Sequence, residues 1–422
     1  MTDENKLMTD RDIDRDSAVS QTKLHYTGHY IQRDDKLYLR VTLSFFMVGL
    51  ATFALLYFVQ PILPLLSEDF AVSPAQASLS LSLATGFMAV GLLITGPISD
   101  AVGRKNVMVV ALTCAALFTL LSAFTTSWTG ILIVRSLVGL SLSGVAAVAM
   151  TYLSEEIHPG YVALSMGLYI SGNSIGGMSG RLITGVFADY ANWRIAVLIL
   201  GTFALFGAFL FWRLLPASRH FRASSLKPKS LWKYLILHCR DDGLPWLFAI
   251  GFIIMGSFVT LFNYIGYRLL EPPYNFSQSV VGMLSVVYLS GTYSASKAGA
   301  LTRKYGYGNV LIGAVSLMLT GILITLGSSL TAVLTGMLVL TTGFFAAHSV
   351  TSSWVGRRAR RAKAQASSLY LFAYYSGSSI AGTLGGVFWS RWHWTGIGCF
   401  IAGMLIAGLL IALRLNKQNT GK

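Results

Sequence analysis

Gly96-Pro97-Ile98-Ser99-Asp100-Ala101-Val102-Gly103-Arg104-Lys105-Asn106-Val107 joins the end of one long apolar run to the start of the next. One carboxylate and two cations sit between two membrane-length stretches, in a hairpin too tight and too specifically charged to be a generic loop. The runs on either side repeat along the chain in pieces of about 20 residues, the length needed to cross ~30 Å of hydrocarbon.

Composition agrees with that reading. The 422 residues are 54% apolar and only 12% charged, about half the charged fraction of soluble domains, with a mean hydropathy of +0.61. The net charge of +15 does not point to nucleic acid, because the cations cluster between apolar runs, where membrane topology places them. Cys114, Cys239 and Cys399 have neither metal-ligand nor disulfide spacing, and no metal or other cofactor is expected.

Twelve spans are expected at roughly 40–64, 74–97, 105–125, 129–152, 161–188, 192–214, 245–269, 279–299, 308–327, 330–355, 364–389 and 393–414. Backbone groups in lipid must be satisfied within each segment, so all are helices. Of 32 Lys and Arg, all but Arg135, Arg181, Arg194, Arg268 and Arg391 fall in segments that this count places on one side, which makes that side, and both termini, cytoplasmic. Residues 1–36, with Asp3, Glu4, Asp10, Asp12, Asp14 and Asp16, read as a disordered cytoplasmic tail without a cleavable signal, and 416–422 as a second tail. The one long connection, 215–244, is basic around Leu231, Trp232, Tyr234 and Leu235. It suits an amphipathic helix at the membrane surface, and it separates a bundle at 37–214 from one at 245–415.

The two bundles repeat. Ser171-Gly172-Asn173-Ser174-Ile175-Gly176-Gly177 in span 5 returns as Ser376-Gly377-Ser378-Ser379-Ile380-Ala381-Gly382 in span 11, and the opening hairpin returns as Gly299-Ala300-Leu301-Thr302-Arg303-Lys304-Tyr305-Gly306. Parallel six-helix repeats place a ligand site between the halves, near mid-membrane.

No carboxylate falls at mid-membrane by these boundaries, but two arginines do lie within spans. Arg135 in span 4 and Arg181 in span 5 each sit about two turns from the outer side. An arginine at a helix centre costs about 2.5–3.5 kcal/mol to insert, so it faces a cavity or a partner unless it snorkels outward. Arg181 has Asp189 near the end of its own span as one possible partner. His348 in span 10 is placed to carry a proton, or to pack with a hydrogen bond. Tyr57, Gln60, Asn263, Tyr264 and Tyr374 offer polar and aromatic contacts to a ligand, or glue between helices.

The hairpin pattern Gly-x3-Asp-x2-Gly-Arg-Lys resembles the signature between helices 2 and 3 of the major facilitator superfamily of transporters. By that resemblance Gly96, Asp100, Gly103, Arg104 and Lys105 form an inner gate, with Gly96 close to span 11 and Asp100 facing the start of that span near Ala364-Gln365-Ala366. Ile131-x3-Arg135-x3-Gly139 is similar to a motif whose arginine is associated with proton coupling. Gly172-Asn173-Ser174-Ile175-Gly176-Gly177 resembles the antiporter motif, with Asn173 in place of its proline. Leu215-Pro216-Ala217-Ser218-Arg219 resembles an element that normally carries a glutamate where Ala217 stands, which leaves Glu155 or Glu156 to serve the loop arginines. Further stretches, among them Ser154-Glu155-Glu156-Ile157-His158-Pro159, look like the YnfM-type bacterial inner-membrane transporters.

The resemblance implies a monomeric, all-α secondary transporter of the bacterial inner membrane, working by alternating access on a small molecule. The leading expectation is proton-linked efflux of small organic or amphiphilic compounds, with Arg135 and His348 in coupling and Tyr57, Gln60, Asn173, Arg181, Asn263, Tyr264 and Tyr374 lining the cavity. The alternatives are transport of an anionic metabolite on Arg135 and Arg181, and a transporter-like sensor without net flux. An enzyme would need a nucleophile or acid–base cluster in a cleft, and none is visible.

Overall fold

The computed structural model describes residues 30–221, 235–359 and 361–420, and every apolar run within them is helical. The first half holds α1 (Lys36–Tyr57, continued by Leu63–Asp69), α2 (Pro74–Val102), α3 (Arg104–Ser122), α4 (Trp128–Ala146, continued by Ala149–Glu156), α5 (Pro159–Tyr190) and α6 (Trp193–Leu214). The second half holds α7 (Leu244–Leu270), α8 (Gln278–Met283, a 3₁₀ turn at Leu284–Val287, then Tyr288–Tyr305), α9 (Tyr307–Ile324) and α10 (Leu330–Arg358). A continuous run, Lys363–Thr420, breaks at Trp392 and His393 into α11 (363–391) and α12 (394–420). Nine helical stretches among the described residues are long and apolar enough to cross a membrane, one of them the 54-residue run that contains both α11 and α12. The other two passes, α5 and α8, are diluted by glycine and serine, and they are helices that face the opposite half.

Local chemistry starts and stops these helices. Ser73, Ser127, Asn192 and Ser329 cap the N-termini of α2, α4, α6 and α10, each side chain accepting from a backbone N–H three residues on. All four caps lie on the face opposite the opening hairpin. On the hairpin face, Gly103 (φ +109°) alone joins α2 to α3, and Gly306 (φ +80°) alone joins α8 to α9. Side chains rarely adopt that backbone conformation, which is why both copies of the hairpin carry glycine there.

The sequence repeat is a packing repeat. A Cβ on Gly172 would stand 2.3 Å from the Phe46 carbonyl oxygen of α1, and one on Gly377 2.1 Å from the Phe252 carbonyl oxygen of α7. Helices 5 and 11 therefore lie directly on the backbones of helices 1 and 7, the close approach that small residues permit in membranes. Large apolar side chains such as Leu39, Phe124, Phe203 and Leu410 point outward instead.

Three expectations change. Span 1 is not one straight helix, because α1 breaks at 58–62 around Pro61, which has no N–H to continue the ladder. Ser154, Glu155 and Glu156, expected in a loop, form the last turn of α4. The end of the expected disordered tail is ordered: the Ile31 N–H donates to the Glu156 carbonyl at 2.9 Å, the His158 N–H donates to the Ile31 carbonyl at 3.1 Å, and Ile31 is buried. Residues 1–29 and the centre of the expected amphipathic segment, 222–234, lie outside the described residues.

The halves meet from mid-membrane to the capped face. Gly86 of α2 abuts Ser379 of α11, Gly386 abuts Ala75, and Gly185 of α5 lies against Gln278 of α8. The Ser67 and Tyr267 hydroxyls share a hydrogen bond of 2.6 Å, and the Ser279 N–H donates to Asp189 at 3.3 Å. On the hairpin face, among the described residues, no hydrogen bond or ion pair crosses between halves. There a Cβ on Gly96 or Gly299 would meet open space. The fold is shut at one face and parted at the other.

Candidate substrate site and gates

The site begins with the break in α1. The Phe58 N–H still reaches the Ala54 carbonyl, but the Gln60 N–H turns back to Tyr57, which frees the Leu56 carbonyl from the helical ladder. Arg135 takes it. Its Nη2 donates to the Leu56 carbonyl at 2.6 Å, Nη1 to that of Leu55 at 2.9 Å and Nε to that of Ser80 on α2 at 3.0 Å, while its guanidinium lies 4.9 Å from the Phe58 ring centre. Arg135 is 2% exposed and bound on the inner side of its helix, so it does not snorkel. It ties together three helices and holds the broken end of α1 that carries Tyr57 and Gln60.

Arg181 does not snorkel either, and it does not pair with Asp189. Its Nε donates to Gln60 Oε1 at 2.7 Å, Nη2 donates to the same oxygen, and Nη1 donates to the Gly177 carbonyl. Gln60 Nε2 then donates to Asn263 Oδ1 of α7 at 2.7 Å. A chain of hydrogen-bonded side chains thus crosses from Arg181 of α5 through Gln60 to Asn263 of the other half. The Arg181 guanidinium is surrounded by rings, with centroids at 4.8 Å (Tyr288), 4.9 Å (Tyr57) and 5.5 Å (Phe262). It is 3% exposed, and among the described residues no carboxylate pairs with it. Asp189 instead accepts from the Ser279 N–H at the start of α8. The expectation fails because Arg181 lies two turns before Asp189 and its side chain runs inward to α1.

Of the expected cavity residues, Arg181, Gln60, Tyr57 and Asn263 come together. Tyr374 belongs to an adjoining aromatic group, its ring 4.6 Å from that of His348, whose Nδ1 is 2.8 Å from the Tyr370 hydroxyl. Asn173 sits on the α5 face against α1, its Oδ1 at the position a Cβ of Gly49 would approach. Tyr264 leaves the group: its hydroxyl donates to the Gly382 carbonyl at 2.9 Å and its ring packs near Trp389, so it joins α7 to α11. Phe262 and Tyr288 escape the sequence reading. Phe262 precedes Asn263 in the chain, and Tyr288 follows the 3₁₀ turn in the least apolar span, and those are the signals that would have found them.

At the hairpin, Arg104 is 8% exposed and gathers its partners from two helices. It bonds to Asp100, donates to Ser99 Oγ at 3.2 Å, and grips Glu155 with two bonds, Nη2 to Oε1 at 2.8 Å and Nε to Oε2 at 3.1 Å. Glu156 points elsewhere, accepting from Ser218 Oγ and from the His220 N–H at 2.9 Å, with the His220 ring nitrogen at 3.3 Å. The two glutamates therefore divide the work, one on the hairpin and one on the segment after α6. Lys105 has no ion-pair partner among the described residues. Among the described residues Asp100 makes no hydrogen bond or ion pair to α11, and a Cβ on Gly96 would meet nothing within 4 Å. In the second half the counterpart of Arg104 is Tyr307, which packs on Trp354 with a centroid distance of 5.7 Å beneath Arg357. A separate pair, Arg358 with Asp241, joins the end of α10 to the start of α7. Burial pushes the Asp241 carboxyl up, but Arg358 and the N–H groups of Gly243 and Leu244 outweigh it and hold the group below the usual carboxylate value.

Two six-helix halves related by a packing repeat, joined at one face and parted at the other around a buried polar centre, form the frame of a carrier. The sequence model of the Major Facilitator Superfamily matches residues 41–382. This chain belongs to that superfamily. It is 61% identical over 402 residues to the inner membrane transport protein YnfM of Escherichia coli (strain K12), across 95% of this chain and 96% of that protein. It is 48% identical over 396 residues to an uncharacterized transporter of Buchnera aphidicola subsp. Baizongia pistaciae (strain Bp), across 94% of this chain and 98% of the relative. A crystal structure of a bacterial homolog of the human lysosomal transporter Spinster, described as inward-facing and unoccupied, shares the fold with a TM-score of 0.70 at 13% identity, covering 90% of this chain and 96% of that one. The chain is thus a multi-pass secondary transporter of the major facilitator type and not an enzyme.

Proposed function

We propose that this transporter moves small organic anions by alternating access, with Arg181 as the anion-binding group. One observation carries the reading. Arg181 is buried at the junction of the halves and, among the described residues, bonded only to neutral acceptors, so the counter-charge is one a substrate would bring. Its Nε and Nη2 converge on a single oxygen of Gln60, a two-donor fork that a carboxylate or phosphate fits with two oxygens. The sequence alone favoured efflux of drug-like compounds in general. The placement of Arg181 moves the emphasis to anions, because a large organic cation would meet a buried guanidinium and, among the described residues, no carboxylate.

The likeness to YnfM supports a place in the bacterial inner membrane, and the distribution of cations supports a cytoplasmic hairpin face with both termini on that side. The parted face is then the inner one. Gly96, Asp100, Arg104 and Glu155 act as the inner gate, closing when α2 meets α11. Proton-linked efflux stands as a second reading, favoured by the hydrogen bond that links the His348 ring to the Tyr370 hydroxyl beside the site, a pair through which a proton could pass.

Counterflow in proteoliposomes tests both. Exchange of labelled organic anions is expected, and Arg181→Gln abolishes it while the variant stays monodisperse. An imposed pH gradient drives net flux if coupling holds, and His348→Gln removes that response. Uptake of cationic dyes with no anion exchange, unchanged by Arg181→Gln, refutes the anion reading.

A further inference from the structure

We infer that the anion this site takes carries an aromatic ring: an aryl carboxylate, its charge on Arg181 and its ring against the second half. The inference rests on the anion reading above and narrows it. The two halves contribute unlike surfaces to the site. The first half supplies the charge, Arg181, with Gln60 and the ring of Tyr57 beside it. The second supplies a continuous wall of rings drawn from three helices. Next to Arg181, Tyr288 and Phe262 meet edge to face at 5.3 Å. Phe258 lies 4.9 Å from Phe262 and stacks on Phe344 of α10 at 3.8 Å, with the two planes within 9°. Phe345 closes on Phe258 and Tyr288 edge-on, at 6.1 and 5.6 Å. Beyond Phe344 the row runs parallel to His348.

Such a wall offers ring edges and faces at the spacing that arene pairs prefer, which a saturated ring cannot use. Phe345 and His348 are only partly buried, while Phe258, Phe262, Tyr288 and Phe344 are buried. Beside Arg181, the Tyr57 hydroxyl is buried and has no hydrogen-bond partner among the described residues. A tyrosine hydroxyl is a donor that suits an oxygen of a carboxylate already held by the guanidinium.

The experiment compares four probes matched in size on the purified full-length protein in nanodiscs: benzoate, cyclohexanecarboxylate, benzamide and benzylammonium. Benzoate is expected to bind roughly tenfold tighter than cyclohexanecarboxylate, the factor that one or two good arene contacts supply. Phe344→Leu and, separately, Phe262→Leu are expected to shrink that ratio towards one. The ratio is taken within each variant, so a lower folded fraction does not alter it. Equal binding of benzoate and cyclohexanecarboxylate, both lost in Arg181→Gln, overturns the aryl inference and leaves the anion reading standing. Binding of benzamide or benzylammonium in preference to both carboxylates overturns the anion reading, and this inference falls with it. Absence of binding by every probe overturns both.

Discussion

Arg135 decides between two kinds of role, and substitution separates them. The family motif associates this arginine with proton coupling, whereas the structure bonds it to the carbonyls of Leu55, Leu56 and Ser80. Arg135→Met keeps the bulk and removes all three bonds. Ser80 retains its place in the α2 ladder, so the loss falls on the carbonyls at the end of α1. Two buried carbonyls left without donors cost about 2–6 kcal/mol on the scale of soluble proteins, and about 1 kcal/mol on the scale measured inside membranes. Even the lower figure lowers the melting temperature in detergent by roughly 1 °C. Arg135→Lys keeps the charge but has one nitrogen to place among three acceptors, so its melting temperature falls between the other two. Because the same carbonyls position Tyr57 and Gln60, the lysine variant also binds substrate more weakly. A methionine variant that melts with the wild type and loses only the pH dependence of transport refutes the clamp and returns Arg135 to coupling.

Charge reversal tests the hairpin. Arg104→Glu abolishes transport and Glu155→Arg restores it in the double variant, while Glu156→Arg does not, because Glu156 is 1% exposed and committed to Ser218 and His220; rescue by Glu156→Arg would contradict the assignment. Gly96→Leu folds with an unchanged melting temperature, since nothing lies within 4 Å of its Cβ position, yet slows flux if α2 must close on α11; unaltered flux removes Gly96 from the gate. Gly139→Ala yields little folded protein on size-exclusion chromatography, because its Cβ would stand 1.8 Å from the Ala84 carbonyl oxygen. Asp241 is held below its usual value, so its contribution to stability is present above the unfolded pKa and is lost as pH falls through the folded one, below about pH 4. Melting curves from about pH 5 down to about pH 3 should therefore fall less for Asp241→Asn than for wild type, by a small margin because the side chain is 32% exposed.

The fold was legible because its determinants are local or repeated. Twelve apolar runs, the glycines at 172 and 377, and the two hairpins each state their role in a few adjacent residues. Arg181 and Arg135 could be singled out by type and depth alone. Their partners could not, because Arg181 meets Gln60 across 121 positions and Arg135 meets Leu55 across 80, and no spacing rule spans such distances. Snorkelling was the wrong outcome for both, since packing of α1 against α4 and α5 turned the side chains inward. The Gln60-Pro61 pair held the information that α1 breaks there. What it withheld was that an arginine from another helix would collect the carbonyl set free. The division between Glu155 and Glu156 was equally hidden, as adjacent residues on a helix point about 100° apart and only the finished turn of α4 shows which one faces Arg104.

The one-residue hairpins at Gly103 and Gly306 have a mechanical meaning. A joint with no spare chain cannot pay out slack, so α2 cannot slide along α3, nor α8 along α9, without unwinding a helix. Each pair would therefore move as one stiff body. Motion at that face is then transmitted to the capped face as tilt, with almost no backlash. Inserting a few glycines after Gly103 would introduce play into this linkage, leaving each half folded while the opening of one face ceased to drive the closing of the other.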